Sequence, residues 1–445
     1  MATGRHRPWL IGGLVFLFLG LLAAFVCVPP ALATPPHDVG PSDITVNVNT
    51  TTDVVDPSDG VCSLREALER KPGCAGDIIE LEPTTYTLTD TVAGDITIAT
   101  VAPMSIRVTA SGQAVIQGGP GWTDRILSII SNATVDISNV TIQKGNISGT
   151  IFNNGGGIYN DGDLSIANSY ILNNAAASSG GGIYNTGILR IVDSQIASNL
   201  ASVGGGVANF GAGGSVWITN TIVATNIASG TILQDGGGIY TAGFVSVYSS
   251  AIVSNTAQHD GGGIIGENTQ GIVILRNVTV SGNLAGSAGG GVFGGHQTDV
   301  AYATIHGNAA SVGGGLEDIT PATISASIVA GNAGGDCDGY WTSGGHNFIQ
   351  TECDNYFPSL DDLIDLNPLL GPLQDNGGPI ATLTHAPAGT SLALNQIPRG
   401  QVGCGIAITT DQRGVERPYG GACDIGAFEL GAVLHRAVWL PMLQR

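Results

Sequence analysis

GGGIYN at 155–160, GGGIYN at 180–185 and GGGIYT at 236–241 are close to one six-residue phrase written three times. Glycine triplets also begin at 204, 261, 289 and 313, so successive starts lie 25, 24, 32, 25, 28 and 24 residues apart. An aliphatic residue follows each triplet: Ile158, Ile183, Val207, Ile239, Ile264, Val292 and Leu316. Further on, units carry alternating stretches such as LSIANS (164–169), LRIVDS (189–194) and VSVYSS (245–250), and each unit closes on an asparagine. Those asparagines are Asn174, Asn199, Asn226, Asn255, Asn283, Asn308 and Asn332, with Asn146 an earlier, less regular member.

A two-helix repeat needs a 3.6-residue apolar period and few breakers, whereas these units show period two and are full of glycine. Three short strands with a turn at each corner fit a unit of about 24–25 residues. Equivalent side chains then stack at the strand spacing of roughly 4.8 Å: aliphatics inward as the core, asparagines as a ladder of hydrogen-bonded amides. The reading is an all-β chain, a right-handed parallel β-helix, with its hand taken from the usual chirality of parallel connections. The longer units, 204–235 and 261–288, need only bulge a loop.

Composition agrees. Of 445 residues 68 are glycine, and 35 acids face 15 bases for a formal charge of −20. Lys71 and Lys144 are the only lysines, and no arginine cluster exists, so nucleic-acid binding by phosphate neutralisation is excluded. At the N-terminus, Arg5 and Arg7 precede the apolar run Leu10–Val28, and Ala31-Leu32-Ala33 fits a small-x-small cleavage site. Residues 1–33 read as a signal peptide cleaved near Ala33, with an uncleaved membrane anchor as the alternative. Cleavage leaves a secreted or cell-surface chain with no integral membrane span.

Export makes the cysteines informative. Six remain after Cys27 is removed, and nearest-neighbour pairing gives Cys62 with Cys74, Cys337 with Cys353 and Cys404 with Cys423. They flank the repeat, so the chain divides into an N-terminal cap at 34–95, repeats at 96–335, a C-terminal capping module at 336–430 and an apolar-basic tail at 431–445. Disulfide-bearing caps would cover the open ends of the solenoid.

CSLREAL at 62–68 resembles the N-terminal CSLREA motif of secreted bacterial β-helix proteins. NPLLGPLQDNGGP (367–379), LTH (383–385), DQRGVERP (411–418) and CDIGAFE (423–429) resemble the choice-of-anchor end module of the same proteins. The triplet repeats are similar to those in that family and in polymorphic outer-membrane proteins. GTSLALNQI (389–397) departs from the family pattern, lacking its aspartate. The resemblance implies a secreted or surface protein and carries no catalytic residue with it.

Catalysis has to be sought in the residues. Asp235 and Asp260 each precede a triplet in consecutive units, so equal position would stack their carboxylates about 5 Å apart, near the spacing of a retaining glycosidase pair. His259 adjoins Asp260. The same residues read as solvated corners, since Asp-Gly is a common turn pair, or as a cation site. Asp53, Asp56 and Asp59 have the spacing of a calcium loop, but Pro57-Ser58-Asp59-Gly60 also reads as a plain turn. Calcium is the one ion these acids suggest, and no motif calls for another cofactor. His296 and His306 lack any zinc-binding context.

Two function classes stay open. One is a non-enzymatic surface protein presenting a stiff face for adhesion, binding carbohydrate or components of the cell envelope or extracellular matrix. The other is a carbohydrate-active enzyme, a pectate-lyase-like polysaccharide lyase or a glycoside hydrolase, working in a groove along the coils. Between 150 and 330 the chain has nine acids, two arginines and a single tryptophan, Trp217, so cations for acidic sugars are few and stacking platforms look sparse.

Overall fold

The computed structural model describes residues 44–431, apart from 110, 150–152, 212, 232–234, 352, 354 and 379–381. The signal peptide expected at 1–33 and the tail beyond 431 lie outside the described residues. No helix among those described is long and apolar enough to cross a membrane.

The chain winds as a parallel β-helix. One coil shows the plan: Ile158–Asn160, Asp163–Ala167, Tyr170–Leu172 and Ala175–Ala176 are its strands. Each pairs in parallel with its counterpart one coil on, Ile158 with Ile183, Ile166 with Ile191, Ile171 with Ile196 and Ala175 with Leu200. Stacking produces three sheets, of 21, 12 and 6 strands. The coil therefore has four strands where three were expected. The first two belong to one sheet, joined at a corner such as Asn160-Asp161-Gly162, whose single glycine bends the chain without ending the pairing.

The triplet follows from the stacking. Its first glycine is left-handed in every unit, with φ between 53° and 72°, a conformation that costs other L-residues about 1–2 kcal/mol. A Cβ on the second, Gly181, would stand 2.5 Å from the carbonyl oxygens of Gly205 and Leu200, and one on the third, Gly182, 2.6 Å from that of Gly206. Successive backbones pack there with no room for a side chain. The seven aliphatics after the triplets are at most 1% exposed and run down the core. Truncating one, such as Ile239, to alanine removes about 2–5 kcal/mol of stabilisation. The two longer units place extra residues in turns, including 210–211, 213–214 and 267–271.

The 62–68 segment closes the N-terminal end. Ser63 caps the helix Leu64–Leu68 in a capping box with Glu66, and Leu64, Ala67 and Leu68 bury into the first coils. Arg65, 1% exposed, pairs with Asp53 at 2.8 Å and donates to the carbonyls of Gly94 and Asp95. Cys62 is bonded to Cys74, Cys337 to Cys353 and Cys404 to Cys423.

The stretch 336–430 has two parts. Cys337–Ser343, Phe348–Ile349, Tyr356–Phe357 and Leu363–Ile364 continue the solenoid, with Trp341 buried in its last layers. The rest turns back along the flank. The hairpin of Leu370–Asp375 and Leu383–Pro387 lies on the outer face of the 12-stranded sheet, where Leu373 and Leu383 pack on Ala197, Ala224, Ala251 and Val253. Ala393, Ile397, Cys404, Ile408, Cys423 and Ile425 cover Tyr302, Ala326 and Ile328 on the same face. Expected as an end cap, this module is largely a lateral one, because small apolar side chains point outward from that sheet and need cover.

Candidate functional site

Asn174, Asn199, Asn226, Asn255, Asn283, Asn308 and Asn332 come together as one ladder. Each Nδ2 donates to the next Oδ1 at 2.9–3.1 Å, from Asn174 to Asn199 and on to Asn332. Each Nδ2 also donates to a backbone carbonyl of the preceding coil, as Asn255 does to Val223. The ladder ends on a carboxylate: Asp336 Oδ1 accepts from the backbone and side chain of Asn332. An acceptor-only group suits the last rung, since nothing beyond needs a donor. A second column runs at the coil corner, Asn160 to Asn185 to Asn209 to Thr241. A third runs through Ser169, Ser194, Thr221 and Ser250, each hydroxyl accepting the backbone N–H one coil before. These buried ladders are structural, and the two shorter ones were visible in the sequence only as a recurring fifth residue after each triplet start and a recurring Ser or Thr.

The candidate acids go to separate tasks. Asp235, fully buried, accepts the backbone N–H of His259 at 3.0 Å, and its ring Nδ1 lies 3.0 Å away. Burial raises the Asp235 pKa, the bonds from His259 oppose this, and Asp260 adds to the rise. Asp260 accepts the backbone N–H of Ala288. Both carboxylates thus tie a corner to the following coil. Asp53 accepts from Arg65, Thr89 and Asp90; burial pushes its pKa up, but these donors outweigh it and the carboxyl titrates below its ordinary value. Asp56 caps Ser58, and Asp59 the N–H of Val61. The three do not converge, and no group of three potential metal ligands occurs among the described residues.

What the sequence reading missed lies on the outer face of the large sheet. Tyr159 stacks on Tyr184 at 5.4 Å between ring centroids, Tyr184 on Phe210 at 5.4 Å, and Phe210 meets Tyr240 at 4.9 Å. Phe210 comes from the extra residues of its unit and fills the place above Ala208, whose strand position pairs with Tyr184 and Tyr240. The row continues in register through Ile265 and Phe293 to Glu317 and Asp338. Arg125 lies over Tyr159 at the opposite end, 5.3 Å from its centroid. Beside this column Arg190, paired with Asp163, lies over Trp217, and Trp217 meets Phe244 at 5.4 Å. Tyr159, Tyr184, Phe210, Trp217 and Phe244 are all half-buried. The signal was present as tyrosine at the same place in GGGIYN, GGGIYN and GGGIYT; the Ala208–Phe210 exchange hid its continuity.

Acids close the column. Glu317 is 8% exposed, and its Oε2 has no hydrogen-bond partner among the described residues. Burial first, then Asp338, Asp318 and Asp260, push its pKa up to about 7. Asp318 is fully buried, its Oδ1 accepting the backbone N–H and hydroxyl of Thr320.

No family model matches the chain, and no curated protein matches it. Among solved structures it is similar to the pectate lyase Pel9A, with a TM-score of 0.53 and 14% identity, covering 88% of this chain and 98% of that one. It also aligns with the Geobacillus virus E2 protein ORF18 at a TM-score of 0.36 and 13% identity, over 72% of this chain and 59% of that one. The likeness to the pectate lyase shows the fold, a pectin-lyase-like parallel β-helix.

Proposed function

We propose that the protein is exported and acts as a non-enzymatic binding rod, holding an extended polysaccharide of an envelope or matrix along the outer face of its large sheet. The observation that carries this is the aromatic column of Tyr159, Tyr184 and Phe210, one half-exposed ring per coil, with Trp217 and Phe244 alongside. Tyr159, Tyr184 and Phe210 stack on one another and are half-buried, so part of each ring remains at the surface. A row of such part-exposed rings offers apolar surface to successive pyranose rings in a linear chain. The leader 1–33, three disulfides in an otherwise lysine-poor acidic chain, and the likeness of 62–68 and 367–429 to secreted bacterial proteins support an extracellular setting.

The test is retention of the purified protein on a panel of immobilised polysaccharides. Tyr184→Ala and Trp217→Ala should each weaken retention on the preferred glycan by about tenfold. Unchanged retention in both variants would remove the column from the reading. One feature favours a second reading: Glu317, held protonated near neutrality beside Asp338, has the form of a glycosidase acid. New reducing ends or unsaturated products from the same panel, lost in Glu317→Gln, would establish an enzyme instead.

A further inference from the structure

Part-exposed apolar side chains run farther along the large sheet than the three stacked rings. The column itself goes under at Tyr240, Ile265 and Phe293, which are buried with Val203. The accessible apolar surface shifts sideways there instead of ending. On the adjoining strand positions it continues through Trp217 and Phe244 to Ile272 and Ile274, all half-buried. Register holds without a slip along this stretch, Ser165 pairing with Arg190, Arg190 with Trp217, Trp217 with Ser246 and Ser246 with Ile274. Those pairings lead from the coil of Tyr159 to that of Ile274, so the strip is straight and roughly 20 Å long at the strand spacing.

Charge on this face is self-contained. Each arginine described on it has an acid partner: Arg107 with Glu80, Arg125 with Asp95, Arg190 with Asp163 and Arg276 with Asp299. A polymer of uronic acids would have to break such pairs to gain a counter-ion, and on a protein of net charge −20. An aminated polymer would compete with the guanidinium groups for the same carboxylates. An uncharged chain needs only apolar contact and hydroxyl partners. Ser165, Ser215 and Ser246 stand half-buried within the strip and can both donate and accept.

Spacing narrows the choice further. The ring centroids of Tyr159, Tyr184 and Phe210 follow one another at 5.4 Å, close to the advance per sugar in a chain joined through equatorial bonds at C1 and C4. Such a chain is a straight ribbon, so successive sugars stay level with successive coils. An axial bond at C1 makes the chain curl away from a straight track. We infer, resting on the binding reading above, that the strip takes an uncharged glycan with 1,4-diequatorial linkages, of the cellulose type, one sugar to each coil. Paired charges exclude ionic polymers, and the straight register excludes curled ones.

Calorimetric titration of the full chain tests both selections with cellohexaose, maltohexaose, a β-1,4-mannuronate hexamer and a β-1,4-glucosamine hexamer. Maltohexaose shares the sugar of cellohexaose and differs in linkage, whereas the two ionic hexamers share its linkage and differ in charge. Cellohexaose should bind about tenfold tighter than each of the others, with an affinity unchanged at about 0.5 M salt. Cellotriose, too short to cover the strip, should bind more weakly than cellohexaose. Asp163→Asn deprives Arg190 of its partner and should raise affinity for the mannuronate hexamer about fivefold at low salt. That gain should vanish at about 0.5 M salt. Maltohexaose bound as tightly as cellohexaose would overturn the linkage selection. An ionic hexamer bound more tightly than cellohexaose, or no gain for mannuronate in Asp163→Asn, would overturn the charge selection. Those results leave glycan binding standing, whereas absence of heat with every oligosaccharide would bring down the binding reading as well.

Discussion

Burial sets Glu317 against ionisation, and the sign of the resulting pH effect follows. Its pKa is raised from an ordinary 4.5 to about 7, burial being the largest cause and Asp338, Asp318 and Asp260 the rest. Stability contributed by this residue is fully present below about pH 4.5 and is lost as pH rises through 7. Glu317→Gln should therefore raise the melting temperature at pH 8, by the equivalent of about 1–2 kcal/mol once solvent screening is allowed for. At pH 4.5 variant and parent should melt together; a variant less stable at pH 8 would show the carboxylate to be paired. Glu317 could not be picked out of the chain beforehand, because nothing in LEDIT announces that it follows Phe293 down a column. Asp235 and Asp260 could be, by their place before the triplets, but place alone did not reveal that His259 and Ala288 take up their oxygens. A short side chain at a corner reaches the neighbouring backbone first.

At the scale of the repeated elements, legibility tracked how few residue types a position tolerates. Only glycine fits where backbones stack at 2.5 Å from a would-be Cβ, and only a side chain with both donor and acceptor can pass a ladder onward, so both recurred visibly. Outer-face positions tolerate many side chains, and the aromatic column was correspondingly obscured. The corner at Gly162 hid for another reason: bending a sheet takes less chain than ending a strand, so four strands read as three. The ladder also predicts a gradient of sensitivity. Asn255 donates to Val223 and Asn283 and accepts two bonds from Asn226. Asn255→Ala should cost about 3 kcal/mol in thermal or denaturant unfolding, because buried partners on both sides lose their bonds. Asn332, at the partly exposed end on Asp336, should cost about 1 kcal/mol when truncated, since water can replace what is lost. Equal costs at both positions would mean that the ladder is not cooperative along its length.

Over the whole molecule, the solenoid was readable and the course of its C-terminal module was not. The motif residues at 411–429 are buried in docking: Arg417 lies over Tyr302, Gly426 donates to the Ala326 carbonyl, Ala427 to the Thr304 hydroxyl, and Thr279 donates to Gln412. A sequence signal did exist, since Leu172, Ala197, Ala224 and Val253 occupy outward positions where a bare sheet would carry polar groups. The hairpin that covers them also holds a pH-sensitive contact. His385 is sandwiched between Ser281, His306 and the Gly371 carbonyl, and burial, the largest cause, brings its pKa down to about 4. Its contribution to stability is present above about pH 6.5 and is lost as pH falls through 4. Amide hydrogen exchange at 370–387 should therefore speed up near pH 4, after correction for intrinsic rates, before exchange in the core strands does; simultaneous loss would place the weakest point elsewhere. The lateral mounting also determines how the molecule bears tension. A pull at Gly431 enters the flank through contacts on Thr279, Ser281, Thr304, Tyr302 and Ala326, which belong to successive coils. These anchor points share the load in shear, whereas a pull on the final coil would peel the winding one turn at a time, so the strap makes the rod mechanically tougher than its terminal edge.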